Sequence, residues 1–248
     1  MNPLIQRTSR LAPALVLATV SAVGVAAQSL PVTNPSFESP QVPAGFPAST
    51  FVDGWQKNPP PPPEWGITPD QWDQMAGIFP NPAAGQPRHI VNASGTQVAF
   101  VFAVPGVALT QLTANTFTPG LAYTLDVGLR GGGALTPGTQ FYVGLFYTDG
   151  VSRTSIASTV VSATDELTNT DTLRTISVAL GTVSKTDAWS GRQIGIELSA
   201  LSPNGTQGIA YWEADTVQLT AVPEPSTWAL GATGLLVLGA AAMNRRRQ

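Results

Sequence analysis

An antiparallel β-sandwich, of the jelly-roll kind, is the fold class that the sequence predicts for the body of this chain. Three observations predict it. The 24 glycines and 22 prolines of the 248 residues are scattered, which leaves no room for long helices. Short stretches of alternating apolar and polar residues recur, the period of a half-buried strand. Turn-forming pairs separate most of them, with no amphipathic helix between.

In chain order, the predicted strands are 97–104, 108–117, 123–130, 140–148, 154–162, 173–180, 193–200 and 209–220. Pro105-Gly106, Pro119-Gly120, Asp149-Gly150 and Pro203-Asn204-Gly205 supply turns. Residues 34–88 read differently. They include the proline run 59–63 together with Trp55, Trp65 and Trp72, and predict long ordered loops over one edge or face, with a helical turn near 70–75. Gly128-Leu129-Arg130-Gly131-Gly132-Gly133 reads as a flexible loop after a strand, and lacks the following helix of a dinucleotide fingerprint.

The two ends stand apart from this body. Arg7 and Arg10 precede an apolar run from 11 to 27 that closes on small residues, Val25 and Ala27, before Gln28. That order predicts a secretory signal over 1–27, removed by signal peptidase. At the other end, Pro223-Glu224-Pro225 leads into an uncharged run, 228–243, and then Arg245-Arg246-Arg247. As a helix those 16 residues span about 24 Å. That is somewhat short of a bilayer core of about 30 Å, a gap that snorkelling arginines and local thinning can close. The arginine cluster orients the span with the body outside. The predicted organisation is therefore 1–27 signal helix, 28–222 sandwich and 223–248 tail with a transmembrane helix.

The ordered tail resembles the PEP-CTERM sorting signal. The resemblance implies recognition by an exosortase in the inner membrane of a Gram-negative bacterium, cleavage near the triplet, and delivery to the envelope or an exopolysaccharide matrix. The inner membrane is then only a transient station.

Between the ends, seven basic residues face fourteen acidic ones, a net charge of −7. That balance argues against nucleic acid or anionic membrane as partners. With no cysteine, thiol catalysis and thiolate metal sites are excluded. The single histidine, His89, has no metal-ligand spacing around it, and no Gly-x-Ser-x-Gly elbow exists for a serine triad.

Sequence motifs at opposite ends of the body carry the most information. Asn34-Pro35-Ser36-Phe37-Glu38 and Asp53-Gly54-Trp55 stand near its start, and Tyr211-Trp212-Glu213-Ala214-Asp215-Thr216-Val217-Gln218-Leu219 near its end. Gly95-Thr96-Gln97-Val98-Ala99, Leu109-Thr110-Gln111-Leu112 and the stretch from Pro119 to Leu125 lie between. Together they resemble the galactose-binding-like jelly rolls of many carbohydrate-binding modules. The resemblance implies that first and last strands meet and that a structural calcium sits there, with Glu38 and Asp215 as its matching acidic ligands. Oxygen donors suit that ion. Thr216 replaces a second acid common in the family, which removes one ligand.

Ala76-Gly77-Ile78-Phe79, Val98-Ala99-Phe100 and Gly128-Leu129-Arg130 also look like a subgroup of these jelly rolls that includes calcium-dependent cyclases of cyanobacterial alkaloid biosynthesis. Acid-catalysed cyclisation needs a carboxylic acid kept protonated in apolar surroundings. Glu213 and Asp215 share a strand face with Tyr211 and could each be proposed. Aromatic rings in polar or proline-rich loops, Trp65, Trp72 and Trp189, are the candidates for stacking on sugar, whereas Trp55 and Trp212 fit the core. No complete catalytic set emerges. The sequence reading is therefore an exported, non-catalytic module in contact with polysaccharide. A ligand-free envelope protein, or a calcium-dependent enzyme (cyclase or glycan hydrolase) on the same scaffold, stands as the alternative.

Overall fold

The computed structural model describes residues 26–62, 65–201 and 210–223. The predicted signal helix, the apolar run 228–243, and Glu224, Pro225, Arg245, Arg246 and Arg247 lie outside the described residues. Among the described residues, no helix is long and apolar enough to cross a membrane.

Among the described residues there are eleven strands and two short helices. They are β1 (Gln28–Leu30), β2 (Gln56–Lys57), α1 (Pro69–Asp73), β3 (Ala76–Pro80), β4 (Gln97–Phe102), β5 (Ala108–Thr116) and β6 (Leu121–Gly133). After these come β7 (Gln140–Thr148), β8 (Arg153–Ser162), α2 (Asp165–Thr168), β9 (Arg174–Leu180), β10 (Gln193–Ala200) and β11 (Ala210–Pro223). One sheet runs β3-β4-β11-β6-β9, with β1 also paired to β11; the other runs β2-β5-β10-β7-β8. All named strand pairs are antiparallel.

The eight predicted strands are present because their apolar alternation has a core to face. Ile194, Ile196, Leu198 and Ala200 of β10 point inward against Trp212, Ala214 and Leu219 of β11 in one shared cluster. Trp212 meets Phe141 across the sandwich, with ring centroids 5.3 Å apart. Trp55 is buried as expected, its ring 5.1 Å from that of Phe37 and its Nε1 donating to the Asn34 carbonyl.

Two local features differ from the sequence reading. The glycine-rich stretch after Val127 is strand, with Gly131 and Gly132 paired to Trp212 and Tyr211. Neighbouring strands hold it straight, overriding the flexibility of its composition. Within 34–88, β2 and β3 emerge as short edge strands, and α1 forms where a helical turn was predicted, capped by Thr68 and Gln71 reciprocally.

Strand β11 occupies the middle of its sheet and changes partner along its length. On one edge it pairs first with β4, through residues 211–214, and then with β1, through 219–221. Between them lies a bulge at which Thr216 takes φ 53° and the β6 register shifts. The Val217 amide there donates to the Pro35 carbonyl.

Candidate functional site

The outer face of the β11 sheet carries two carboxylate centres. Since Trp212 and Ala214 point into the core, Tyr211, Glu213 and Asp215 point outward, as the alternation predicted. All three are more enclosed than an outer face implies.

Glu213 is 3% exposed and forms an ion pair with Arg130 on neighbouring β6. Phe100 faces it on β4, and Gly132 lies beside it. Phe79, Phe100, Phe102 and Tyr211 close a ring of contacts, with successive centroids 6.3, 5.7, 5.8 and 6.4 Å apart. Two glycines make the arrangement fit. A Cβ on Gly132 would lie 2.7 Å from Glu213 Oε1 and collide with the Tyr211 ring, and one on Gly77 would lie 2.9 Å from the Phe100 ring. Burial pushes the Glu213 pKa up to about 7, against the opposing pull of Arg130. Burial, then the nearby Glu213 charge, also raises that of Tyr211.

Asp215 and Glu38 form the second centre at the β11 bulge. Asp215 Oδ2 accepts from the Ser94 amide at 2.6 Å, and Oδ1 from its own neighbour Thr216 at 2.6 Å. Glu38 Oε1 accepts from the Thr96 and Gln97 amides at 2.9 and 2.7 Å, and Oε2 from the Thr96 hydroxyl at 2.9 Å. Both carboxylates therefore grip the one loop, 94–97. Gly95 permits this, with φ 88° and no room for a side chain, since a Cβ would lie 2.6 Å from Glu38 Oε1. The Asp215 pKa is raised to about 7, first by burial and also by the Glu38 charge, although the two amides oppose the shift.

A buried Asp215 near a half-buried Glu38 offers oxygen donors of like charge, which match the preference of a hard divalent cation such as calcium. The set is nevertheless small. Among the described residues no three His, Cys, Asp or Glu side chains group together, so backbone carbonyls and water would complete six or more ligands.

The loop tryptophans separate. Trp65 is 53% exposed and adjoins a hollow lined by Pro60, Pro61, Gly66, Ile67, Thr68 and Pro69. Trp72 is 6% exposed and donates its Nε1 proton to the Asn58 carbonyl, so its ring serves packing. Trp189 is half-buried against the core, with its Nε1 enclosed. Of the three rings, that of Trp65 is the largely exposed one. His89 is held by the Pro82 carbonyl, 2.6 Å from Nδ1.

Sequence reasoning found Glu213 and Asp215 but missed the aromatic ring contacts and Arg130 around Glu213. The signal was present, because Phe100 and Phe102 lie two apart on one strand face. Turning it into a site required knowing that β4 pairs with β11.

Comparison with known proteins bears on both centres. A family model described as HpiC1 cyclase matches residues 28–220, and one described as the PEP-CTERM protein-sorting motif matches 221–247. The chain thus carries the exosortase-processed sorting signal of an exported Gram-negative envelope protein. No curated protein matches it. Among solved structures, the Stig cyclase FisC from Fischerella sp. TAU, bound to (3Z)-3-(1-methyl-2-pyrrolidinylidene)-3H-indole, superposes with TM-score 0.60. It has 22% identity, over 80% of this chain and 99% of that one. A cyclase from Fischerella sp. TAU in complex with 4-(1H-indol-3-yl)butan-2-one gives 0.60 and 21%, over 80% and 100%. A family 16 carbohydrate-binding module gives 0.38 and 19%, over 67% and 90%. At these identities the cyclase structures speak for the jelly-roll fold. The family match overturns the reading of the body as non-catalytic, because the model that covers it is that of a cyclase family.

Proposed function

The chain belongs to the HpiC1-like cyclase family, and from that premise we propose that it is an exported cyclase in which Glu213 supplies the proton that starts ring closure. One observation carries the proposal: a buried carboxyl beside Phe100 and Tyr211, two members of a cluster of four aromatic rings, on the face where alternation places it. Burial raises its pKa to about 7, so a protonated fraction, the state a general acid needs, is present at neutral pH and grows as pH falls. Its proton passes to an unsaturated carbon of the substrate, forming a C–H bond and a carbocation. The carboxylate left behind is stabilised by Arg130. Faces of Phe100 and Tyr211 stabilise the cation by their quadrupoles. A nucleophilic carbon of the same molecule then closes the ring, and loss of a proton to Glu213 restores the acid.

The aromatic surroundings favour an apolar, unsaturated substrate that carries a flat ring. The indole ligands of the Fischerella structures make indole-bearing alkenes the class to test first. Glu38 and Asp215 are proposed to hold a calcium ion, whose role is to neutralise their charge and tie loop 94–97 to β11. Signal peptidase and a short-lived inner-membrane intermediate belong to the same proposal, as does polysaccharide contact on arrival in the envelope, with Trp65 the exposed ring available to it.

The test is conversion of indole-bearing alkenes to ring-closed products, followed by mass and NMR spectroscopy. Glu213→Gln should abolish product while the melting temperature holds. Full activity in that variant, or no product from the wild type with calcium present, would overturn the proposal.

A further inference from the structure

The loop between β3 and β4 crosses the outer face of the β11 sheet, and the cyclisation scheme leaves it aside. It is pinned along its length. Asn81 Nδ2 donates to the Ile90 carbonyl at 3.0 Å, and Asn81 Oδ1 accepts from the Ile90 amide at 2.7 Å. The Pro82 carbonyl holds His89. Farther on, the Val91 amide donates to the Asp171 carbonyl at 2.7 Å, and the Leu173 amide donates to the Val91 carbonyl at 3.0 Å. Residues 171–173 lead into β9, at the edge of the sheet opposite β3. Buried Ile90 packs with Val98 of β4 and with Leu173, and Phe79 lies against the same cluster. Phe79 thereby links the loop to the acid site, since its ring is 6.4 Å from that of Tyr211.

Arg88 stands two residues before Ile90 on this anchored loop. Its backbone takes φ 66°, a left-handed conformation unfavourable to a long side chain, and Asn92 takes the same value on the other side of the anchor. The Arg88 side chain is exposed, and no carboxylate pairs with it among the described residues. Its charge nevertheless reaches Tyr211. Burial raises the Tyr211 pKa, and Arg88 is among the groups that oppose the rise. Glu213, by contrast, answers to burial and to Arg130. The Tyr211 oxygen accepts from the Gly133 amide, which leaves its hydroxyl proton to be donated elsewhere.

This corner therefore offers donors, a guanidinium and a phenol proton, while the nearby Glu213 is already paired with Arg130. Such a set suits an oxygen anion. A guanidinium matches the paired oxygens of a carboxylate or a phosphate, and a wholly neutral substrate would gain little from it. We infer that Arg88 sets specificity by holding a carboxylate or phosphate carried by the substrate, with the Tyr211 hydroxyl as second donor. The unsaturated end of the same molecule then lies at Glu213, and gripping the other end orients it for protonation. This inference rests on the cyclase reading proposed above and adds an anionic end to the substrate described there.

The test is calorimetry on the exported protein at low ionic strength, where charge contacts are least screened. Indole-3-butyrate and the phosphate monoester of tryptophol are the anionic probes, and indole-3-butyramide is the neutral control. Work at pH 6 keeps Glu213 largely protonated, so that its charge does not oppose the anions. Both anions should bind at least tenfold more tightly than the amide, and the tighter of the two names the group. Arg88→Ala should bring the anions down to the affinity of the amide with the melting temperature retained, and Arg88→Lys should restore part of the difference. With anionic indole-bearing alkenes, Arg88→Ala should raise KM at least tenfold and change kcat less. Equal affinity for all three probes in the wild type, or a preference that survives Arg88→Ala, overturns the inference and leaves the cyclase reading untouched. An anion preference that Arg88→Ala removes, in a protein that forms no ring-closed product, keeps the anion site and sinks the cyclase reading instead.

Discussion

At Glu213 the surroundings outweigh the intrinsic chemistry of a carboxylate. Removal from water disfavours its charged form by more than the Arg130 cation favours it, and the balance sits near neutrality. Two consequences have definite signs. Turnover needs the protonated acid, so the rate should fall as pH rises through about 7. Stability moves the same way. A native pKa raised from 4.5 to about 7 adds stability that is full below 4.5 and is lost as pH climbs to 7. A pH–rate profile and melting curves from pH 4 to 8 check both. A rate that rises through neutrality would assign Glu213 the role of base instead. Both carboxylates were legible in the sequence because strand alternation needs no partner to be read. The role of Arg130 was not, since only the pairing of β6 with β11 sets it beside Glu213.

Elements decide whether these residues can meet. The eight strands with clear alternation were legible from residue pattern alone, and two of them, Gln140–Thr148 and Gln193–Ala200, at both boundaries. By contrast, β1, β2 and β3 are short, lie at edges or beside a bulge, and depend on neighbours supplied by distant parts of the chain. Gly132 shows how an element's interior serves a site on its surface. Gly132→Ala should cost about 1–3 kcal/mol, the usual range for forcing atoms into a filled space. It should also lower turnover by displacing Glu213 and Tyr211. Chemical denaturation and a turnover assay measure the two effects. An alanine variant of full stability and activity would show that Tyr211 has other room.

For the whole molecule, the central matter is what joins the ends of the fold. Strand β11 carries Glu213 and Asp215, contacts β4, β6 and β1, and meets loop 94–97 through Asp215, with the like-charged Glu38 gripping the same loop. Calcium should raise the melting temperature, and a chelator should lower it. The effect should be larger at pH 8 than at pH 5, because Asp215 ionises near 7 without a cation. Scanning calorimetry with elemental analysis tests this. An identical transition in calcium and in chelator, with no bound metal, would remove the ion from the account. The sandwich and the address were both legible in the order of residues along the chain. The cyclase family of the body was not the preferred reading, because Glu213 and the rings beside it come from strands far apart in sequence.

The end of β11 has a further consequence. Its last residues, 221–223, still pair with 121–123 of β6, yet the sorting motif already begins at 221. Fold and address thus overlap, with no spacer between them. A protease that cut upstream of Pro223 would peel a central strand from its sheet, so release that preserves the domain has to occur downstream. Under the membrane-held intermediate proposed above, processing that keeps the domain intact would act on chains whose final strand is already seated.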